Sequence, residues 1–205
     1  MKNSPYDVVR NFEKEIAEYS GSPYAVSVES CSAALFLCCL YKGLQNPRSE
    51  VGVPKFTYPS AANSVVNTGH KIKFDDRDWQ ILGYYELLGL DIIDSAKFLS
   101  RNMYSMFRGK MVCLSFHGKK CLRIGRGGMV LCSEPEQVDW LKCARFDGRH
   151  ECGLMNDKLA MPGWNMYMTP EQAARGLELL QWIPDTNIEK RDEYLDLSKY
   201  DFYTR

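Results

Sequence analysis

The sequence predicts an α/β fold, a largely parallel sheet flanked by helices, and three observations predict it. Short apolar, β-rich runs alternate with segments of helical periodicity along most of the chain. Breaker clusters such as Gly21-Ser22-Pro23 and the Pro47 region mark the joins. Finally, Ser30 to Ser32, Thr57, Asp94 and Lys120 all fall at or just beyond the carboxyl ends of predicted strands, where sheets of this class bind ligands.

The elements follow in order. Residues 6–19 carry Val8, Val9, Phe12 and Ile16 at helical spacing, an amphipathic helix. Tyr24–Val28 reads as a strand, and Ser30-Cys31-Ser32 opens an apolar helix over 33–41. Residues 51–54 form the next strand, Pro59–Asn67 a helix of small residues, and Lys71–Asp75 an alternating strand. Residues 79–89 read as a short, weakly helical connection and 90–94 as an apolar strand ending in Asp94. Two further strands, 111–116 and 129–133, flank a lysine-rich loop, and 135–145 has helical periodicity. Thr169-Pro170-Glu171-Gln172 has the form of an N-cap with Pro at the first helical position, launching a helix over 173–182. Beyond Pro184 the chain is charged and ends in an aromatic, polar tail.

Composition narrows the class. The 205 residues hold 26 Lys plus Arg and 26 Asp plus Glu, a net charge of zero, which argues against nucleic-acid or membrane capture even for the basic cluster Lys119, Lys120, Arg123 and Arg126. No basic-then-apolar leader and no membrane-length apolar run is seen, so the expected location is the cytoplasm. The eight cysteines include no Cys-x-x-Cys pair, and reduced thiols are expected. Cys143, His150 and Cys152 match no usual zinc spacing, so no metal is expected.

The chemistry concentrates at Ser115-Phe116-His117-Gly118-Lys119-Lys120, just ahead of Gly125-Arg126-Gly127-Gly128. A lysine held at a strand end by a rigid loop can be desolvated and act as an amine nucleophile or Schiff-base former. Lys120 is the candidate, with Lys119 as the rival should the loop register shift by one. His117 reads as a packing or hydrogen-bonding residue and the Gly125 to Gly128 stretch as a tight β turn. Ser32, at a helix start, offers a hydroxyl and free amides to an anion. Asp94 is either a strand-end cap or a charged ligand, and Tyr58 either a core aromatic or a stacking surface.

These segments together resemble the DegT/DnrJ/StrS-type sugar aminotransferases, pyridoxal-phosphate (PLP) enzymes of the aspartate-aminotransferase fold. The lysine segment resembles that family's Ser-Phe-His-x-x-Lys…Gly-x-Gly-Gly signature. YAVSVESCSAAL (24–35) is similar to its phosphate-binding segment, VPKFTYPSAAN (53–63) to its Pro-x-Phe-Thr-Phe motif, and IIDSA (92–96) to its Ile-Glu-Asp-Ala-Ala motif. Gly163-Trp164-Asn165-Met166-Tyr167-Met168-Thr169 resembles Gly-Tyr-Asn-Tyr-Arg-Met-Ser.

The resemblance implies a reduced version of the large domain of fold-type I PLP enzymes, without the small C-terminal domain. One PLP-binding unit would span 1–205, as an N-terminal helix (1–20), an α/β core (21–150) and a dimer-contacting loop, helix and tail (151–205). It implies pyridoxal 5'-phosphate bound as an aldimine on Lys120, with Asp94 on the pyridine nitrogen and Tyr58 on the ring. Cys31, Ser32 and Ser115 would meet the phosphate, and Asn165 would reach the phosphate of the neighbouring subunit, hence a homodimer. Small-molecule amino donors and acceptors would be the partners.

Departures from the pattern fall on the substrate side. The stretch between Asp76 and Leu90 is much shorter than the family's, and Lys97, Tyr167 and Arg126 replace its Gln or His, Arg and Glu. The expected activity is therefore PLP-dependent transfer of an amino group to a sugar-nucleotide or related keto substrate. Two alternatives stand beside it: a PLP-dependent decarboxylase or lyase on an amino-acid-bearing substrate such as a modified nucleotide, and a catalytically degenerate binding module.

Overall fold

The structure, a computed structural model, describes residues 4–203. Its centre is a five-stranded sheet in which β1 (Tyr24–Val28), β7 (Gly128–Cys132), β6 (Met111–Ser115), β5 (Ile92–Ser95) and β4 (Tyr85–Leu87) lie side by side in that order. A two-stranded parallel ribbon, β2 (Glu50–Pro54) with β3 (Lys71–Asp75), continues it, since Gly52 and Leu88 exchange both backbone hydrogen bonds at 3.0 and 3.1 Å.

The α/β class with flanking helices holds, but the sheet is mixed where a largely parallel one was expected. Of these strand pairs, β5–β6 and β2–β3 run parallel, while β1–β7, β6–β7 and β4–β5 are antiparallel. A parallel neighbour requires a crossover, usually helical. No helix lies between β6 and β7, and only four residues (88–91) separate β4 from β5, so both pairs fold back on themselves. The expected weakly helical connection over 79–89 is corrected with it. Tyr85 to Leu87 is a strand, because Tyr85 and Leu87 are buried on one face of it while Glu86 is only half-buried.

Strand alternation divides the interior into two cores. On one face Val26, Val28, Met111, Cys113, Val130, Cys132 and Ile92 meet α2 (Cys31–Gln45), α3 (Pro59–Asn67) and Leu141 of α4 (Pro135–Ala144). On the other, Ala25, Val112, Leu114, Met129, Leu131 and Ile93 meet Val9, Phe12 and Ile16 of α1 (Asp7–Ser20) and Ala173 of α5 (Pro170–Leu180). Thr169 caps α5 through the expected capping box with Gln172.

The last segment departs from a simple polar tail. Residues 184–195 run back across the sheet's carboxyl end. Asn187 is held by Leu99, Ser100 and Tyr19, and Glu189 donates its amide to the Lys97 carbonyl at 2.9 Å. Leu197 and Tyr203 then pack beside Ala62 of α3. No helix is long and apolar enough to cross a membrane among the described residues.

Candidate active site

Residues from several separate segments line a cavity of about 1210 Å³ at the carboxyl ends of β1, β5 and β6. It brings together Cys31, Ser32, Tyr58, Asp94, Ser115 and Lys120, the six residues expected within one subunit's site. Asn165, expected to serve the neighbouring subunit, lies outside this cavity. Its amide donates to Asp147 Oδ2 at 3.2 Å on the outer surface.

The strand-to-helix join at β1–α2 builds one wall. Ser30 caps α2 by accepting from the Ala33 amide at 3.1 Å, which leaves Cys31 and Ser32 in the first turn, where the helix's own carbonyls cannot reach their amides. Gly128 allows β7 to begin against this turn, because a Cβ there would lie 2.6 Å from the Cys31 nitrogen and 2.4 Å from the Ser30 carbonyl carbon. The same glycine pairs with Ser115 across β6–β7, so the glycine run fixes the distance between the helix start and the lysine loop. Burial and the nearby Asp94 carboxylate push the Cys31 thiol well up, against a smaller opposing pull from Lys120.

Lys120 sits in a loop stitched by Phe116, Gly118, Gly125 and Gly127 backbone bonds, and its own amide donates to the His117 carbonyl at 2.8 Å. Its side chain is 18% exposed and its Nζ lies 3.7 Å from Glu189 Oε2. Lys119 is exposed beside it, so the inward lysine is Lys120. His117 accepts from the Lys119 amide at 3.3 Å, a hydrogen-bonding role as expected.

Asp94, the penultimate residue of β5, is 6% exposed. Its Oδ2 accepts from the Tyr85 hydroxyl at 2.8 Å and its Oδ1 from the Ala96 amide at 3.0 Å. Burial raises its pKa, and Tyr85, Ala96 and the Lys120 charge offset that only in part. The carboxylate thus meets two neutral donors and a cavity, not a bonded cation. Tyr58 stands at the mouth, 64% exposed, and is no core residue.

Four residues of this site lie outside the sequence reading. Tyr85 comes from the connection expected to be weakly helical. Glu189, Asp192 and Tyr194 come from the returning segment and line the cavity. Asp192 accepts from Lys97 Nζ at 2.9 Å, and that lysine, where the resembled family has Gln or His, is 1% exposed. Glu189 Oε1 is buried with no hydrogen-bond partner among the described residues. Burial raises the Glu189 pKa against the opposing charges of Lys120 and Lys97. His150, the histidine between Cys143 and Cys152, pairs with Asp157 at 2.8 Å, and all eight cysteines are free thiols.

The model of the DegT/DnrJ/EryC1/StrS aminotransferase family matches residues 2–82 and 104–202. The chain belongs to that family. Segment 83–103, with β4, β5, Tyr85 and Asp94, falls between the two matched stretches. The spore coat polysaccharide biosynthesis protein SpsC of Bacillus subtilis is 27% identical over 90% of this chain and 59% of its own length. GDP-perosamine synthase of Escherichia coli O157:H7 is 28% identical over 96% of this chain and 64% of its own. The family member thus spans about three fifths of the length of these relatives. Among solved structures, the putative sugar aminotransferase Spr1654 from Streptococcus pneumoniae in its PLP form superposes with a TM-score of 0.70, at 18% identity, over 86% of this chain and 59% of that one. AtS13 from Actinomadura melliaura gives 0.68 at 21% identity, over 85% and 60%. These likenesses establish the fold.

Proposed function

We propose that this chain is a PLP-dependent aminotransferase acting on a sugar-nucleotide or related keto substrate, with pyridoxal 5'-phosphate attached at Lys120. The observation that carries the reading is the convergence of an inward lysine, a buried carboxylate facing the cavity and an open helix N-terminus within one cavity of an aminotransferase-family chain. The residues fit the cofactor. Asp94 has the charge and the open side that a protonated ring nitrogen requires, and its two oxygens are otherwise satisfied only by neutral donors. The Gly128 contact brings the amides of Cys31 and Ser32 and the Ser115 hydroxyl to one wall, a donor set for a phosphate. Tyr58 offers an aromatic face at the mouth.

When bound, PLP supplies an electron sink for the bonds at an amino-bearing carbon. The chain's residues do the rest. Asp94 holds the ring nitrogen's proton in place. Lys120 must part from Glu189 to react, and once free its amine accepts and returns a proton at the substrate carbon. Glu189, Asp192 and Tyr194 of the returning segment line the same cavity and would border the bound cofactor or substrate. Asn165, exposed and turned away from its own cavity, is available to a second copy, and the exposed Leu154, Met155 and Leu159 lie in the same part of the chain. The working form is then a homodimer.

Incubating the PLP-loaded protein with an amino-acid donor and a keto nucleotide sugar tests the reaction class. Release of the matching 2-oxo acid with amino sugar formation is expected. Carbon dioxide release from the donor without amino transfer would replace this reading with a decarboxylase.

A further inference from the structure

Asp94 owes its orientation to a residue outside every motif quoted above. Tyr85 lies directly opposite Asp94 in the β4–β5 register, so the two side chains share one face as a cross-strand pair. The Tyr85 ring is buried and tilted against Trp79 at 4.9 Å, and Trp79 is itself anchored through Nε1 to the Phe56 carbonyl at 2.9 Å. Beyond the phenol, the buried Thr57 hydroxyl lies 2.8 Å from the Tyr85 oxygen. A phenol has one proton. Since Tyr85 donates it to Asp94, Thr57 is the donor to Tyr85, and the three form a directed relay ending on the carboxylate.

We propose that Tyr85, oriented by Thr57, is a positioning residue that keeps Asp94 an anionic acceptor and so keeps the proton shared with the cofactor on the ring nitrogen. This rests on the PLP reading given above. The physical reason is the kind of donor used. A neutral hydroxyl donating to a buried carboxylate favours its ionised form without cancelling its charge, whereas a bonded cation would neutralise the field the ligand must feel. The other ionisable groups facing Asp94 are Lys120, Cys31, Cys113 and Tyr194. Lys120 is the cation among them, and it would be consumed by attachment of the cofactor. Afterwards the Tyr85 hydroxyl and the Ala96 amide are the chain's own donors that, beside the ring nitrogen, oppose the burial favouring a protonated Asp94. Removing the phenol therefore moves the shared proton from the nitrogen toward the Asp94 oxygen and weakens the electron sink.

Two readouts test this in Tyr85→Phe, which keeps the ring and its packing on Trp79. In the protein without cofactor, carbon NMR of Asp γ-labelled samples follows the Asp94 midpoint, assigned with Asp94→Asn. In protein loaded with PLP labelled with ¹⁵N in the ring, the nitrogen shift reports its protonation. The midpoint is expected to rise in Tyr85→Phe, and the nitrogen signal to move from its protonated toward its unprotonated position. Thr57→Val should produce a smaller change of the same sign and Thr57→Ser none, which supplies the same test should Tyr85→Phe fail to fold.

An Asp94 midpoint or a ring-nitrogen signal unchanged by Tyr85→Phe would overturn the proposal. Failure of the wild type to bind PLP, with the cofactor-free midpoints still shifting, would instead overturn the PLP reading. The ring-nitrogen half of this inference would fall with it, while the Tyr85–Asp94 coupling would stand.

Discussion

The two faces of the sheet each bury a carboxylate, and the two are treated in opposite ways. Under α1, Glu13 is 5% exposed and bonded to the guanidinium of Arg145, which also reaches the Ser27 carbonyl and hydroxyl and Glu151. On the α2 face, Asp94 is equally buried but bonded only to a phenol and an amide. Burial pushes both pKa values up. For Glu13, the Arg145 charge and the Ser27 amide more than reverse that and leave it below the usual range, whereas Asp94 stays above it. A carboxylate with a built-in cation is part of the scaffold. One left with neutral donors and an open side fits the role proposed for it, partner to a cationic ligand.

This contrast can be broken by mutation. The largest effect falls on chemistry: Lys120→Ala should abolish amino transfer, with wild-type folding by circular dichroism. Next, Glu13→Gln leaves the buried guanidinium with the part-exposed Glu151 as its remaining charge partner and should cost about 1–3 kcal/mol in urea unfolding. Asp94→Asn removes a buried charge that has no bonded cation, so stability should change by less than about 1 kcal/mol or rise slightly, while amino transfer is lost. The neutral amide that replaces the carboxylate cannot hold a ring nitrogen in its protonated form.

The pH dependence sharpens the comparison and is the smallest effect. Glu13, with its folded pKa lowered, contributes stability that is present above its unfolded pKa and lost as pH falls through the folded one. Asp94, with its folded pKa raised, contributes stability below its unfolded pKa that is lost as pH rises through the folded one. Unfolding measured across the acidic range should therefore show Glu13→Gln flattening the loss toward low pH. Asp94→Asn should remove the fall on the rising side. Both variants tracking the wild-type profile would contradict the assignment of opposite shifts.

Local signals carried much of the site. The N-cap serine of α2, the glycine run and the strand-end aspartate each have a short-range physical cause, and the structure gathers all three where the strand ends meet. Strand direction was not legible from apolar runs, since a buried strand reads alike in either sense; the missing helix between β6 and β7 was the available clue. Tyr85 was hidden because a three-residue strand shows too little alternation to distinguish it from a helical turn. Glu189, Asp192 and Tyr194 meet Lys120, Lys97 and Trp79 across long sequence separations, and no local pattern encodes those meetings.

The measurement that bears most directly on the central claim is borohydride reduction of the PLP-incubated protein, with peptide mapping of the pyridoxyl-modified residue. The account predicts a single modification on Lys120, lost in Lys120→Ala and absent from its exposed neighbour Lys119 and from the buried Lys97. Label spread over surface lysines, or concentrated on Lys119 or Lys97, would contradict it.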